Sequence, residues 1–219
     1  MNKKVLVVAV HPDDETLGCG GTLLKHKDNG DEINWLICTK LNSNNKSFLT
    51  REKEIETVSN LYNFDSVHKL ELETTKVDEY SMSELISKIS LVINKVQPNI
   101  IYLPFKTDVH SDHRKIFEAA YSCTKSFRYP FIEKIYMMET LSETEFAVSS
   151  KEDSFIPNVF VDISDYFDKK VKILNVYKSE LEEHPFPRSI KNIEALSILR
   201  GATSNCQYAE AFQLIKEIK

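Results

Sequence analysis

The feature that most constrains this chain is the stretch from Lys4 to Gly21, KVLVVAVHPDDETLGCGG, where a continuous apolar run stops at His11 and three consecutive acids follow Pro12. Val5 to Val10 is short, unbroken and rich in β-branched residues, the pattern of a strand buried on both faces of a parallel sheet. Pro12 has no N–H to give to a ladder and ends the strand. His11 is thereby placed just beyond the carboxyl end of a central strand, where open α/β sheets bind ligands. Asp13, Asp14 and Glu15 repel one another unless a cation or hydrogen-bond donors compensate. A metal ion is the simplest compensation.

The remaining chain supplies the rest of such a sheet. Apolar runs predict further strands at residues 33–39, 67–70, 99–103, 133–139 and 158–163. Helices are expected at residues 22–27, opened by Gly18, Gly20 and Gly21, and at 50–62, 83–96, 112–123, 164–181 and 190–199. The tail YAEAFQLIKEI fits a helix or a strand equally well. This alternation implies right-handed βαβ units and an α/β fold, a Rossmann-like parallel sheet with helices on both faces, in a single domain spanning residues 1–219. In the common strand order 3-2-1-4-5, the strands ending at His11 and at Pro104 are neighbours at the switch point. The loop after the second of them carries Thr107-Asp108-Val109-His110-Ser111-Asp112-His113, so topology alone brings two polar clusters together.

Composition excludes several function classes. Lys plus Arg number 28 against 33 Asp plus Glu, a net charge of −5, with no basic run of the kind a nucleic-acid surface needs. No apolar stretch approaches the ~20 residues of a membrane span, so membrane insertion is not expected. The first apolar run is shorter than the ~7 residues of a signal h-region, and a cytoplasmic location is expected. Cys19, Cys38, Cys123 and Cys206 are dispersed and read as free thiols, with Cys19 close enough to the acidic stretch to line a site.

His11, Asp14 and His113 together make two imidazoles and a carboxylate, a ligand set of catalytic zinc. The same set suits non-haem iron, so Zn2+, Fe2+ or another divalent metal fits the residues; zinc is the first choice for hydrolysis. Asp13, adjoining a ligand but directed elsewhere, is placed to act as general base. His110 lies one helical turn from His113 and would meet the substrate, and a carboxylate at Asp112 near it would favour imidazolium. Arg51, at a helix start beside the cleft, reads as a solvated charge or a substrate anchor. Alone, His-Pro-Asp-Asp is compatible with a capped turn and His-x-x-His with a helix surface; following two buried strands at one switch point, they read as a site. The glycines hint at a phosphate loop, but the adjacent acids would repel phosphate. His26, His68 and His184 read as surface or loop residues.

These motifs resemble the PIG-L family of zinc-dependent N-deacetylases, also called LmbE-like proteins. The resemblance rests on AVHPDDETLGCGGTL, on DVHSDH, and more weakly on Arg51-x-x-Glu54 and the Arg200-Gly201 to Tyr208-Ala209-Glu210-Ala211-Phe212 tail. It implies a Rossmann-like fold and hydrolysis of an N-acetyl group from a GlcNAc-containing small molecule or related amino sugar. It further implies zinc on His11, Asp14 and His113, Asp13 as base, His110 supported by Asp112 at the transition state, and Arg51 on the substrate. Some relatives place a tyrosine two residues before the His-x-x-His motif, where this chain has Asp108. Asp108 is therefore expected beside the substrate, without the tyrosine's donor, leaving the oxyanion to the metal and His110. The usual glycine-containing loop after the second strand is replaced by the polar stretch Lys40 to Lys46.

The implied partner is a small acetylated amino sugar, with a homo-oligomer not excluded. Two alternatives stand beside this expectation: hydrolysis of another acylated amine on the same scaffold, and a non-catalytic sugar- or nucleotide-binding α/β protein.

Overall fold

The computed structural model describes residues 2–219. Strand β1 (Lys4–Ala9) is buried from Val5 onward. It lies between β2 (Glu32–Lys40) and β4 (Ile100–Leu103), both parallel to it, with Val5 opposite Ile33 on one side and Ile100 on the other. With β3 (Ser66–Glu73), β5 (Lys134–Met138), β6 (Val159–Asp162) and β7 (Ala209–Glu217), the described strands join one seven-stranded sheet of order β3-β2-β1-β4-β5-β7-β6. The expected parallel order is thus present, extended at one edge by β7, which runs antiparallel to both β5 and β6.

Alternate residues of β1 face opposite sides of the sheet, and both sides are covered because both sets are apolar. Leu6, Val8 and Val10 pack with Ile89 and Ile93 of α3 (Met82–Val96) and Ile116 and Ala120 of α4 (Ser111–Ser122). Val5, Val7 and Ala9 pack with Leu23 of α1 (Asp14–Asp28), Val58 of α2 (Phe48–Tyr62) and Ile173 of α5 (Phe167–Leu174). Burying each Val or Leu contributes about 1.5–3 kcal/mol, which makes the sheet centre a rigid base for the loops at its carboxyl edge.

Three elements and one side chain are settled otherwise than the sequence expectation left them. Helix α1 begins at Asp14, not at residue 22, and runs through the glycines with one non-helical residue, Cys19 (φ −148°, ψ 24°). The glycines serve close packing: a Cβ on Gly21 would lie 2.7 Å from Cβ of Ile163. Cys19 does not line the site. It is fully buried against β1, and burial pushes its thiol well above the usual range. Helix α5 stops at Leu174, seven residues early, and Lys178–Glu180 forms only a 3-10 turn. That exit buries Tyr177 completely and carries residues 178–188 over the end of β1. Finally, the ambiguous tail is β7, because the open edge of β5 supplies ladder partners that a helix would leave unused. The last helix, α6 (Ile190–Ser204), precedes it.

The four cysteines are free thiols. Among the described residues, no helix is long and apolar enough to cross a membrane.

Candidate metal centre and cleft

The acids after Pro12 are compensated in two different ways. Asp13 holds φ 145°, a sparsely populated backbone region for a non-glycine residue that costs about 1–3 kcal/mol. Glu15 secures this turn from beneath. Its Oε2 accepts the Asp13 N–H at 3.1 Å, while its Oε1 accepts the hydroxyls of Thr16 at 2.6 Å and Tyr177 at 3.0 Å. Burial pushes Glu15 up to about 7 although these donors pull it down. Hydrogen-bond donors therefore satisfy Glu15, and the backbone turn sends the side chains of Asp13 and Asp14 to different places.

Asp14 meets the two histidines. Its Oδ2 accepts the His11 N–H at 2.8 Å and lies 3.3 Å from Nε2 of His113 and 3.9 Å from Nδ1 of His11. The two imidazole nitrogens are themselves 3.3 Å apart. Each ring is held from behind: Nδ1 of His113 is 2.8 Å from Asp108, and Nε2 of His11 is 3.4 Å from Asp112. Asp108 also accepts the Thr144 hydroxyl at 2.7 Å, and Asp112 accepts the backbone N–H groups of Thr75 at 2.7 Å and Val77 at 3.2 Å.

These contacts test whether a cation fits. A carboxylate behind each imidazole retains the proton on the outer nitrogen, so two lone pairs and a carboxylate converge on one point. His11, Asp14 and His113 offer donor atoms all within 4.8 Å of one another. Converging acceptors of this kind suit a divalent cation. Burial opposes a charge on His113, yet Asp14 and Asp108 hold it well above the usual histidine range; burial likewise opposes ionised Asp14, which His113 and His11 pull far below the carboxylate range.

Two expected roles are corrected. Asp108 is completely buried against His113 and Thr144 and does not line the cleft, so its side chain holds the His113 imidazole instead of facing the cavity. Asp112 turns its carboxylate to His11, not His110; its backbone N–H donates to Nδ1 of His110 at 3.1 Å, making His110 the cap of α4. Burial and the neighbouring His11 lower the pKa of His110, which favours neutral imidazole over the expected imidazolium. With Nδ1 accepting, Nε2 carries the proton and remains a donor.

The centre opens into a cavity of about 260 Å3 whose lining includes His11, Asp13, Asp14, Arg51 and His110. Arg51 thus reaches the site as expected. Its Nη1 donates to the Pro12 carbonyl at 3.0 Å, and its Nε lies 3.4 Å from Glu54. Burial and Asp14 raise the pKa of Asp13 well above the usual range, with Arg188 opposing at 3.7 Å from its Oδ2. The sequence reading named Glu15 without giving it a role, and it missed Glu143, Glu180 and Arg188. The turn Pro185-Phe186-Pro187 before Arg188 was a visible loop signal; Glu143 and Glu180 had none. The glycine-rich start of α1 is not a phosphate site, because Glu210 already accepts the N–H groups of Gly21 and Thr22 at 2.8 Å each and pairs with Lys170 at 2.7 Å.

Residues 6–124 match the PIG-L family, described as GlcNAc-PI de-N-acetylase, over more than half of the chain. The chain belongs to the PIG-L family. Membership makes it a deacetylase of the metal-dependent, amide-hydrolysing kind. It is 25% identical over 227 residues to a diacetylchitobiose deacetylase of Thermococcus kodakarensis, covering 99% of this chain and 84% of that protein. It is 26% identical over 202 residues to a probable N-acetyl-α-D-glucosaminyl L-malate deacetylase of Bacillus cereus, covering 83% and 86%. Among solved structures, an N,N'-diacetylchitobiose deacetylase from Pyrococcus horikoshii, bound to an inhibitor, shares the fold with a TM-score of 0.78 at 22% identity, covering 98% of this chain and 84% of that one.

Proposed function

We propose that this PIG-L member is a zinc-dependent hydrolase that removes the acetyl group from the 2-amino position of a GlcNAc-type sugar, releasing acetate and a free amine. The observation that carries this reading is the convergence of His11 Nδ1, His113 Nε2 and the Asp14 carboxylate beside Asp13 at the floor of the cavity.

A divalent cation held by His11, Asp14 and His113 supplies Lewis acidity, lowering the pKa of water and polarising the amide carbonyl. The protein performs the remaining work. Asp13 takes the proton of the attacking water and returns it to the leaving amine, and Arg188 favours the ionised carboxylate this requires. His110 donates from Nε2 to the oxygen on which charge develops. Asp108 and Asp112 keep the two histidine ligands in their productive tautomers. Arg51 forms a wall of the cavity against which the sugar is placed.

Elemental analysis of protein purified without chelator is expected to find about one divalent metal per chain, with amine release from acetylated amino sugars lost on chelation and restored by zinc. Absence of both bound metal and zinc-dependent amine release would refute the proposal.

A further inference from the structure

We infer, on the N-deacetylase reading above, that the part of the substrate beyond the acetylated amine is uncharged and hydroxyl-bearing, as in a second sugar, and not a carboxylate or phosphate. An anionic group entering this cavity would need a cation able to pair with it. Two guanidinium groups line the wall, and the charge of each already faces carboxylates. Arg51 uses Nε towards Glu54 at 3.4 Å, Nη1 on the Pro12 carbonyl, and Nη2 on Glu180. Arg188 places Nη1 3.7 Å from Asp13 and Nη2 3.2 Å from Glu180. Glu180 thus stands between both arginines.

The adjoining cleft, which shares Pro12, Leu41 and Arg51 with the cavity, repeats the pattern. Its lysines are also matched, Lys40 to Glu71 at 3.1 Å and Lys69 to Glu52 at 2.6 Å.

Two buried atoms of the cavity lining have no partner: Oε2 of Glu143, an acceptor, and Nε of Arg188, a donor. A buried unpaired polar atom is unfavourable, and a suitably placed ligand group recovers that loss. Burial pushes Glu143 up to about 7, so near neutral pH its carboxyl is present both with and without a proton. A sugar hydroxyl both donates and accepts, so it suits Oε2 of Glu143 in either state and accepts from Nε of Arg188, whereas a carboxylate or ionised phosphate has no proton to give and is repelled by Glu180. Neutral saccharides therefore satisfy the cavity and anionic conjugates do not.

The test compares kcat/KM of the zinc-loaded full chain on N,N'-diacetylchitobiose, which is neutral, and on N-acetyl-α-D-glucosaminyl L-malate, which is anionic. A preference of about tenfold or more for the neutral substrate is expected, since one uncompensated charge contact is typically worth that factor. Assayed about one and a half units above the value of about 7 to which burial pushes Glu143, so that its carboxyl is ionised, Glu180→Gln, which releases the arginines, and Glu143→Gln, which removes a repelling charge, should each narrow the ratio through KM on the malate conjugate. A preference for the malate conjugate, or ratios unchanged in both variants with folding intact by thermal melting, overturns the inference. Turnover of neither substrate by metal-loaded protein overturns the deacetylase reading instead. Calorimetric titration with the same two compounds then still decides the charge preference, tighter binding of the neutral one sustaining it and tighter binding of the anionic one overturning it.

Discussion

Asp108 lies 2.8 Å from Nδ1 of His113, and both side chains are completely buried. The contact makes a residue two positions before the His-x-x-His motif the partner that orients the His113 ring, which the proposed mechanism uses as a metal ligand. Asp108→Asn keeps the volume but removes the charge that orients the imidazole. Zinc affinity, measured by competition with a chromogenic chelator, should fall about 10- to 100-fold. Unchanged affinity would show that Asp108 does not support the metal site.

On the proposed mechanism Asp13 moves a proton and stands outside the ligand trio. Asp13→Asn is therefore expected to retain about one metal per chain while kcat drops by about 10²- to 10⁴-fold. Metal content by elemental analysis and turnover by amine release separate the two effects. Loss of metal in parallel with activity would assign Asp13 to the ligand set.

Arg188 opposes the upward shift that burial and Asp14 impose on Asp13. Removing the guanidinium in Arg188→Met makes the carboxylate harder to ionise, so its pKa rises further. Activity that needs ionised Asp13 falls as pH drops through that pKa. The acid limb of kcat/KM should consequently move to higher pH, by roughly one unit for one lost charge contact. A pH profile with an unmoved acid limb would contradict the pairing.

Glu15 has a folded pKa of about 7, above the usual value of 4.5, because burial outweighs its hydrogen bonds. Between those values the folded protein holds a proton that the unfolded chain has lost, so stability from this group is fully present below about 4.5 and is lost as pH rises towards 7. Urea unfolding of metal-free wild type and Glu15→Gln across this range should give a smaller loss of stability with rising pH in the variant. The variant should also lose activity, because its amide nitrogen turns a donor towards Asp13 N–H or the hydroxyls of Thr16 and Tyr177. Equal pH dependence in the two proteins would mean that Glu15 is already ionised when folded.

Much of the site was legible before the fold was known, because its signals are local. Val5 to Val10 can only be a strand buried on both faces, and Pro12 ends it where ligands bind. DVHSDH follows Leu103 and Pro104 in the same way, so strand order alone joins His11 and Asp14 to His113. Tyr208 to Ile218 was not legible, since its short apolar period fits a helix or a strand until β5 presents an open edge.

What the sequence by itself determined is the identity of the converging acceptors and the sheet edge that holds them, because strand burial and a strand-ending proline act over a few residues. Tertiary structure alone decided which acid serves which partner. Asp112 faces His11 across 101 positions, Tyr177 reaches Glu15 across 162, and Glu180 and Arg188 arrive over the cavity because α5 ends early. Carboxylates look alike in a sequence; their roles are set by the donors, cations and burial that surround them, and these come from segments far apart in the chain. The stretch after Pro12 thus sets one acid against two imidazoles, one on the cavity wall beside Arg188 and one beneath the turn, and distant residues determine which acid takes each position.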